Sequence, residues 1–245
     1  MSGNGTPEQV DFGYKRVARG EKQRLVRRVF ESVAPRYDVM NDLMSLGIHR
    51  VWKREFVRML DPRPNRRLLD LAGGTGDIVR LWRGMGGGEA VLSDVNQAML
   101  DAGRGRTPPG TALLAADAER LPVRDSCVDR VSIAFGLRNC TDKFAVLREA
   151  RRVLRPGGRF LCLEFSRFQV AALVPLYDAW SFGVLPRLGA AVAGDRESYQ
   201  YLAESIRTFP DQAALAAMLR DAGFARVTVR NLSGGIAAIH AGWRL

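Results

Sequence analysis

Apolar residues fall into two regimes along the chain. In EKQRLVRRVFESVA (21–34), Leu25, Val26, Val29, Phe30 and Val33 recur at helical intervals, and Pro35 stops the run. The spacing predicts a second helix from about 49 to 60, ended by Asp61-Pro62. From about residue 66, short apolar runs alternate with amphipathic ones. RRLLDLA, EAVLSDV, TALLAADA, VDRVSIAFG and RFLCLEFS read as strands. GDIVRLWRGM, NQAMLDAGRGR (with Asn96 as its cap) and DKFAVLREARRVL read as helices, and Pro156-Gly157-Gly158 reads as a turn. Strand alternating with helix predicts an α/β fold, a mostly parallel sheet with helices on both faces. DQAALAAMLRDAGF is a further helix, and two β-rich runs joined at Ser233-Gly234-Gly235 predict a closing hairpin.

Two stretches leave this rhythm. Residues 1–20 read as a polar, poorly ordered arm. Residues 168–208, apolar, aromatic and punctuated by proline, read as a helical insertion, either extra core or a lid over an apolar ligand. The expected organisation is an N-terminal arm and helices over residues 1–60 that cover the active site. A ligand-binding core over 61–245 carries the insertion.

Composition narrows the class. With 47% hydrophobic and 26% charged residues the 245-residue chain is globular, long enough for one large α/β domain. No apolar run reaches about 18 residues and the N-terminus lacks an apolar signal core, so a cytoplasmic protein is expected. Three scattered cysteines and two histidines argue against a disulfide framework or a metal centre. The net charge of +11 admits a nucleic acid, an anionic membrane surface or simply a solvated basic face.

The candidate chemistry starts at LLDLAGGTGDIV (68–79), a strand that breaks into glycines and resumes as a helix. Such a loop brings a ligand against the backbone. The spacing lacks the third glycine of a dinucleotide fingerprint, and Asp77 is a poor neighbour for a pyrophosphate. S-adenosylmethionine, a sulfonium without phosphate, suits the acidic neighbours Asp70 and Asp77 better. Asp94 closes the second strand, where it can accept from ribose hydroxyls, and Asp117-Ala118 ends the third, within reach of an adenine. With Gly73, Gly74, Thr75 and Gly76, these residues would line one crevice at the carboxyl edge of the sheet.

The chain resembles the UbiE-type C-methyltransferases of ubiquinone and menaquinone biosynthesis, a branch of the class I S-adenosylmethionine-dependent methyltransferases. The marks are YDVMNDLMSLGIHRVW (37–52), LDLAGGTGD (69–77), FGLRN (135–139), RVLRPGGRFLCLEFS (152–166), YLAESIRTFPDQ (201–212) and GGIAAIHAGW (234–243). The resemblance implies a Rossmann-like, seven-stranded sheet with an antiparallel last strand. It implies cofactor contacts at Thr75, Asp94 and Asp117-Ala118. Many members carry serine where this chain has Ala134, so any contact there would be through the backbone. It implies methyl transfer to a ring carbon of a polyprenylated quinol.

That chemistry needs a ring phenolate, because a neutral aromatic carbon is a weak nucleophile. A phenol with a pKa of about 10 is ionised in roughly one molecule per thousand at pH 7, a handicap of about 4 kcal/mol. Arg138 is the candidate for stabilising the phenolate and Asn139 for orienting the ring or a water. Tyr37 and Asp38 are candidates for the near wall and the proton acceptor. Glu164 faces the crevice or serves as a cap or ion-pair partner, and His49 reads as structural. The insertion at 168–194 and the region Met40–Met44 would enclose the ring and its isoprenoid tail. The expected partners are the quinol, a peripheral membrane surface on its inner face, and a homodimer or quinone-biosynthesis complex. No nucleic acid is expected, although a nucleic-acid methyltransferase, a cofactor-binding scaffold and a nicotinamide-linked reductase stay open as alternatives.

Overall fold

The computed structural model describes residues 9–33, 47–169 and 196–245. Tyr37, Asp38, Met40–Met44 and most of the predicted insertion lie outside the described residues.

Seven strands form one sheet: β3 (Leu68–Leu71), β4 (Ala90–Asp94), β5 (Ala112–Ala115), β6 (Val128–Ala134), β7 (Leu154–Phe165), β8 (Ala225–Leu232) and β9 (Ala237–Trp243), in the order β5-β4-β3-β6-β7-β9-β8. The pairs among β5, β4, β3, β6 and β7 are parallel, and β9 runs antiparallel between β7 and β8. The alternating pattern thus gives the expected sheet, and the C-terminal hairpin closes it.

The pleat of β3 explains how both faces are filled. Leu69 and Leu71 pack with Val131 and Ile133 under helices α5 (Lys143–Val153) and α7 (Gln212–Asp221). Leu68 points the other way, into a cluster with Leu161, Leu163 and Ile239 under α2 (His49–Leu60) and α3 (Asp77–Gly84). Helix α2 buries His49, Trp52, Lys53, Phe56, Val57 and Leu60, one stripe at 3–4 residue spacing, and Asp61 ends it in a left-handed conformation (φ 58°). Asn96 caps α4 (Gln97–Arg104), accepting from the Ala98 N–H at 3.0 Å.

Two local expectations change. Residues 9–18 are not a disordered arm. They form an antiparallel hairpin of β1 (Gln9–Phe12) and β2 (Lys15–Ala18), followed directly by α1 (Arg19–Val33). Its support is distant in sequence: the Phe12 ring stacks on Tyr201 at 4.2 Å, and the Tyr14 N–H donates to Glu204 at 3.0 Å, both on α6 (Arg196–Thr208). The Pro156–Gly158 segment is an excursion inside β7 rather than a turn before it. There Gly157 (φ +77°) donates to the Arg244 carbonyl at 2.7 Å, while Arg244 donates back to Gly158 at 3.0 Å.

Candidate active site

Two loops meet at the carboxyl edge of the sheet, one after β3 and one after β6. Each leaves its strand through a non-glycine residue in the left-handed region, Ala72 (φ 46°) and Phe135 (φ 57°), a conformation that concentrates at functional sites. The loops touch: a Cβ on Gly136 would lie 2.7 Å from the Ala72 Cβ. Gly73 fits only without a side chain, since a Cβ there would lie 2.3 Å from Leu92 and 2.5 Å from an Asp70 oxygen. Sequence LAGGTG is therefore the local solution to a tight turn that packs onto β4 and still leaves room in front.

The space in front is a cavity of about 340 Å³, within the size range of small-ligand sites. Gly74, Asp94, Asp117 and Ala118 line it, as the strand-end pattern predicts, together with Phe135, Gly136 and Asn139. Helix α1 forms another wall, through Gly20, Gln23, Arg24, Val26 and Arg27. The bonds that seat α1 there include Arg19 to Glu119 at 2.8 Å, the buried Lys22 amine to the Cys140 carbonyl at 3.1 Å, and Gln23 to Asp117 at 3.4 Å. Burial brings the Lys22 pKa down to about 8, and the Lys143 charge adds to that effect.

The remaining loop residues support rather than line the cavity. Thr75 is buried, with its backbone against Gly103, and Gly76 (φ 85°) starts α3. Ala134 precedes the lining residue Phe135 and is not itself part of the wall. Asp94 accepts from the Gly74 N–H and the Asn96 N–H, both at 2.9 Å, and burial raises its pKa against those bonds. Asp117 accepts from the Glu119 N–H at 2.9 Å. Asp70 is fully buried beneath the loop. One of its oxygens accepts from Ser132 at 2.6 Å and the other has no hydrogen-bond partner. Burial, opposed by the Ser132 bond and reinforced by the charges of Asp94 and Asp77, pushes its pKa up to about 7. Asp77 is half-buried, yet Lys53 at 2.6 Å and Arg80 hold its pKa below the usual value against that burial. His49 is buried on α2 and adds to the same field, so it belongs to this charge balance rather than to the cavity wall.

The donor and acceptor set fits S-adenosylmethionine. A carboxylate floor attracts a cation and repels a phosphate, and the buried Asn96 Nδ2, at the cavity wall, has no hydrogen-bond partner among the described residues. Sequence reading assigned Asn96 only its capping role.

Arg138 and Asn139 fall in a 3-10 turn, Leu137–Asn139, and part company. Asn139 lines the cavity. Arg138 is buried against Glu164: guanidinium and carboxylate are 2.9 Å apart, and the other Glu164 oxygen accepts the Arg138 N–H at 3.1 Å. The Arg138 Nε has no hydrogen-bond partner among the described residues, and the guanidinium lies 5.5 Å from the centre of the Phe165 ring. Of the roles open to Glu164, the structure gives it the ion pair. Residues that sequence reading missed are Tyr201 and the cavity face of α1. The face is visible in hindsight as Gly20, Gln23, Arg24 and Arg27, one stripe of a helix.

Comparison with known proteins agrees with this geometry. The model of the ubiE/COQ5 methyltransferase family matches residues 17–244. A ubiquinone/menaquinone biosynthesis C-methyltransferase UbiE of Acidiphilium cryptum is 70% identical over 97% of this chain and 98% of its own length. A protein of the same name from Methylobacterium nodulans is 54% identical over 96% and 97%. Among solved structures, an S-adenosylmethionine-dependent methyltransferase of Thermotoga maritima shares the fold with a TM-score of 0.65 at 19% identity, over 90% of this chain and all of that one. Haemonchus contortus phosphoethanolamine N-methyltransferase 2, in complex with S-adenosyl-L-methionine, has a TM-score of 0.58 at 12% identity, over 79% of this chain and 52% of that one. The chain belongs to the ubiE/COQ5 methyltransferase family.

Proposed function

We propose that this enzyme methylates a ring carbon of a polyprenylated quinol, using S-adenosylmethionine, in ubiquinone or menaquinone biosynthesis. The observation that carries the reading is the cavity whose wall joins Gly74, Asp94 and Asp117-Ala118 to Asn139. Its near relatives carry the corresponding name.

Bound S-adenosylmethionine supplies an electrophilic methyl group on a sulfonium. Asp94 holds the ribose and Asp117-Ala118 the adenine, while the loop Gly73–Gly76, with Asp70 beneath it, seats the amino-acid end. Asn139 donates to the ring hydroxyl and orients the ring. Arg138, paired with Glu164 and bonded to the Phe135 carbonyl behind the cavity wall, fixes the turn that carries Asn139, and the Asn139 N–H beside the forming phenolate lowers the roughly 4 kcal/mol ionisation handicap of a free phenol. Tyr37 and Asp38 are the sequence-based candidates for the near wall and the proton acceptor. Holding carbon, methyl and sulfur in line supplies the rest.

We assign α1 and the N-terminal hairpin as the cover of the site; residues 168–194 and Met40–Met44 stay the sequence-based candidates for enclosing the ring and its isoprenoid tail. Among the described residues, no helix is long and apolar enough to cross a membrane. The charge of +11 supports peripheral contact with an anionic bilayer. Salt-sensitive binding to anionic liposomes tests that contact.

The test of function is transfer of labelled methyl to demethylmenaquinol and to 2-methoxy-6-polyprenyl-1,4-benzoquinol, with the oxidised quinones as controls. Label in either ring, only when reduced, supports the reading and identifies the acceptor. Bound cofactor without label in any ring refutes the quinol assignment, and RNA is then the next acceptor to try.

A further inference from the structure

Asn139 sits between two groups that decide which way its amide faces. Its Nδ2 lies 3.4 Å from the Phe135 carbonyl, an obligatory acceptor that also takes the Arg138 Nη1 at 2.6 Å. Its Oδ1 lies 3.1 Å from the Tyr201 hydroxyl. A flipped amide would set two carbonyl oxygens against each other at Phe135, so the nitrogen faces Phe135 and the tyrosine must donate to Oδ1. Tyr201 is itself held: it is 4% exposed, on α6, with its ring stacked on Phe12 at 4.2 Å.

We infer that Tyr201 is a positioning residue for methyl transfer, its hydroxyl fixing the Asn139 carboxamide so that only the amide N–H edge is presented to the acceptor ring. The inference rests on the reading of Asn139 given above. Both oxygens of an ionising quinol are acceptors, so an amide that turned its carbonyl to the cavity would repel the phenolate it has to stabilise. Burial raises the Tyr201 pKa well above that of a free phenol, so the group stays a donor throughout the working pH range. It therefore acts through Asn139 and does not take the substrate proton. The stack on Phe12 makes the N-terminal hairpin part of the same device.

The test is a double-mutant cycle on the full chain, with a reduced short-tailed quinol as acceptor. Tyr201→Phe removes one oxygen and keeps the ring on Phe12. It is expected to lower kcat about tenfold, the loss of one hydrogen bond at about 1.4 kcal/mol, and to leave calorimetric S-adenosylmethionine affinity within about twofold. In an Asn139→Ala background the same change should cost less than about twofold, because its target is gone. Phe12→Leu loosens the seat of Tyr201 without touching its hydroxyl, and should give a smaller fall in kcat that also vanishes with Asn139→Ala. An equal loss in both backgrounds overturns the inference, since the role is then structural. Loss in Asn139→Ala with a Tyr201→Phe enzyme as fast as the parent overturns this inference alone. An Asn139→Ala enzyme as fast as the parent overturns the reading of Asn139 as well.

Discussion

Lys53 on α2 and Asp77 at the start of α3 are bonded at 2.6 Å, with both side chains largely out of solvent. The pair does more than join two helices. Asp70, Asp77 and Asp94 crowd the glycine loop, and Lys53 is the cation that makes their proximity tolerable. Removing it by Lys53→Met leaves the half-buried Asp77 with only Arg80 and His49 for compensation. The expected cost is about 3 kcal/mol, read from urea unfolding, and Lys53→Met with Asp77→Asn should recover more than half of it.

Asp70 should make the cofactor-free protein less stable as pH rises. Its pKa is about 7 in the folded chain, above the ordinary 3.8, so between those values the folded state holds a proton that the unfolded state has lost. Stability then falls with pH across that window, by a few kcal/mol, and levels off above pH 7. Asp70→Asn should flatten the fall and bind S-adenosylmethionine more weakly, because the floor beneath the cation then loses one of its carboxylates. Thermal melts from pH 4 to 8 and calorimetry check the two halves. A variant with the parent's pH slope contradicts the assignment of that slope to Asp70.

Breaking the Arg138–Glu164 pair from the acid side strands a buried guanidinium. Glu164→Ala is expected to cost roughly 3–5 kcal/mol and to abolish detectable methyl transfer, while Glu164→Gln keeps an acceptor for the Arg138 N–H and should cost less. Chemical denaturation and the labelled-methyl assay on both variants distinguish charge from shape.

Asp94→Ala removes the acceptor of two loop N–H groups along with the proposed ribose partner. Hydrogen bonds to a charged group are worth about 1.5–3 kcal/mol, so affinity for S-adenosylmethionine should fall at least tenfold. Calorimetry showing parent-like affinity would remove Asp94 from the site.

What could be read in advance divides by range. The sheet, the cap at Asn96 and the glycine loop follow from spacing within a dozen residues, and so does the placing of Asp94 and Asp117 at strand ends. Arg138 and Glu164 were each legible as strand-end candidates, but not as partners, because the register of β6 on β7 decides that. The 9–18 hairpin was invisible because Val10, Phe12 and Val17 are too few to announce strands. What holds it is Tyr201 and Glu204, some 190 positions away. The cavity-facing side of α1 escaped for the reverse reason: its polar stripe looks like any solvated face until the sheet edge is set beneath it.

The way α1 is seated has a kinetic consequence. Polar bonds from Arg19, Lys22, Gln23 and the Tyr14 N–H, with the Phe12–Tyr201 stack, hold the hairpin and helix over the cavity, whereas the sheet beneath is locked by two apolar clusters. Segments held at the edge of a core open at a fraction of the free energy of global unfolding. The cofactor and its demethylated product differ by one methyl and one charge, and both would lie against this helix. The rates at which one enters and the other leaves are then expected to follow the opening of α1, a door whose swing stopped-flow binding reads directly.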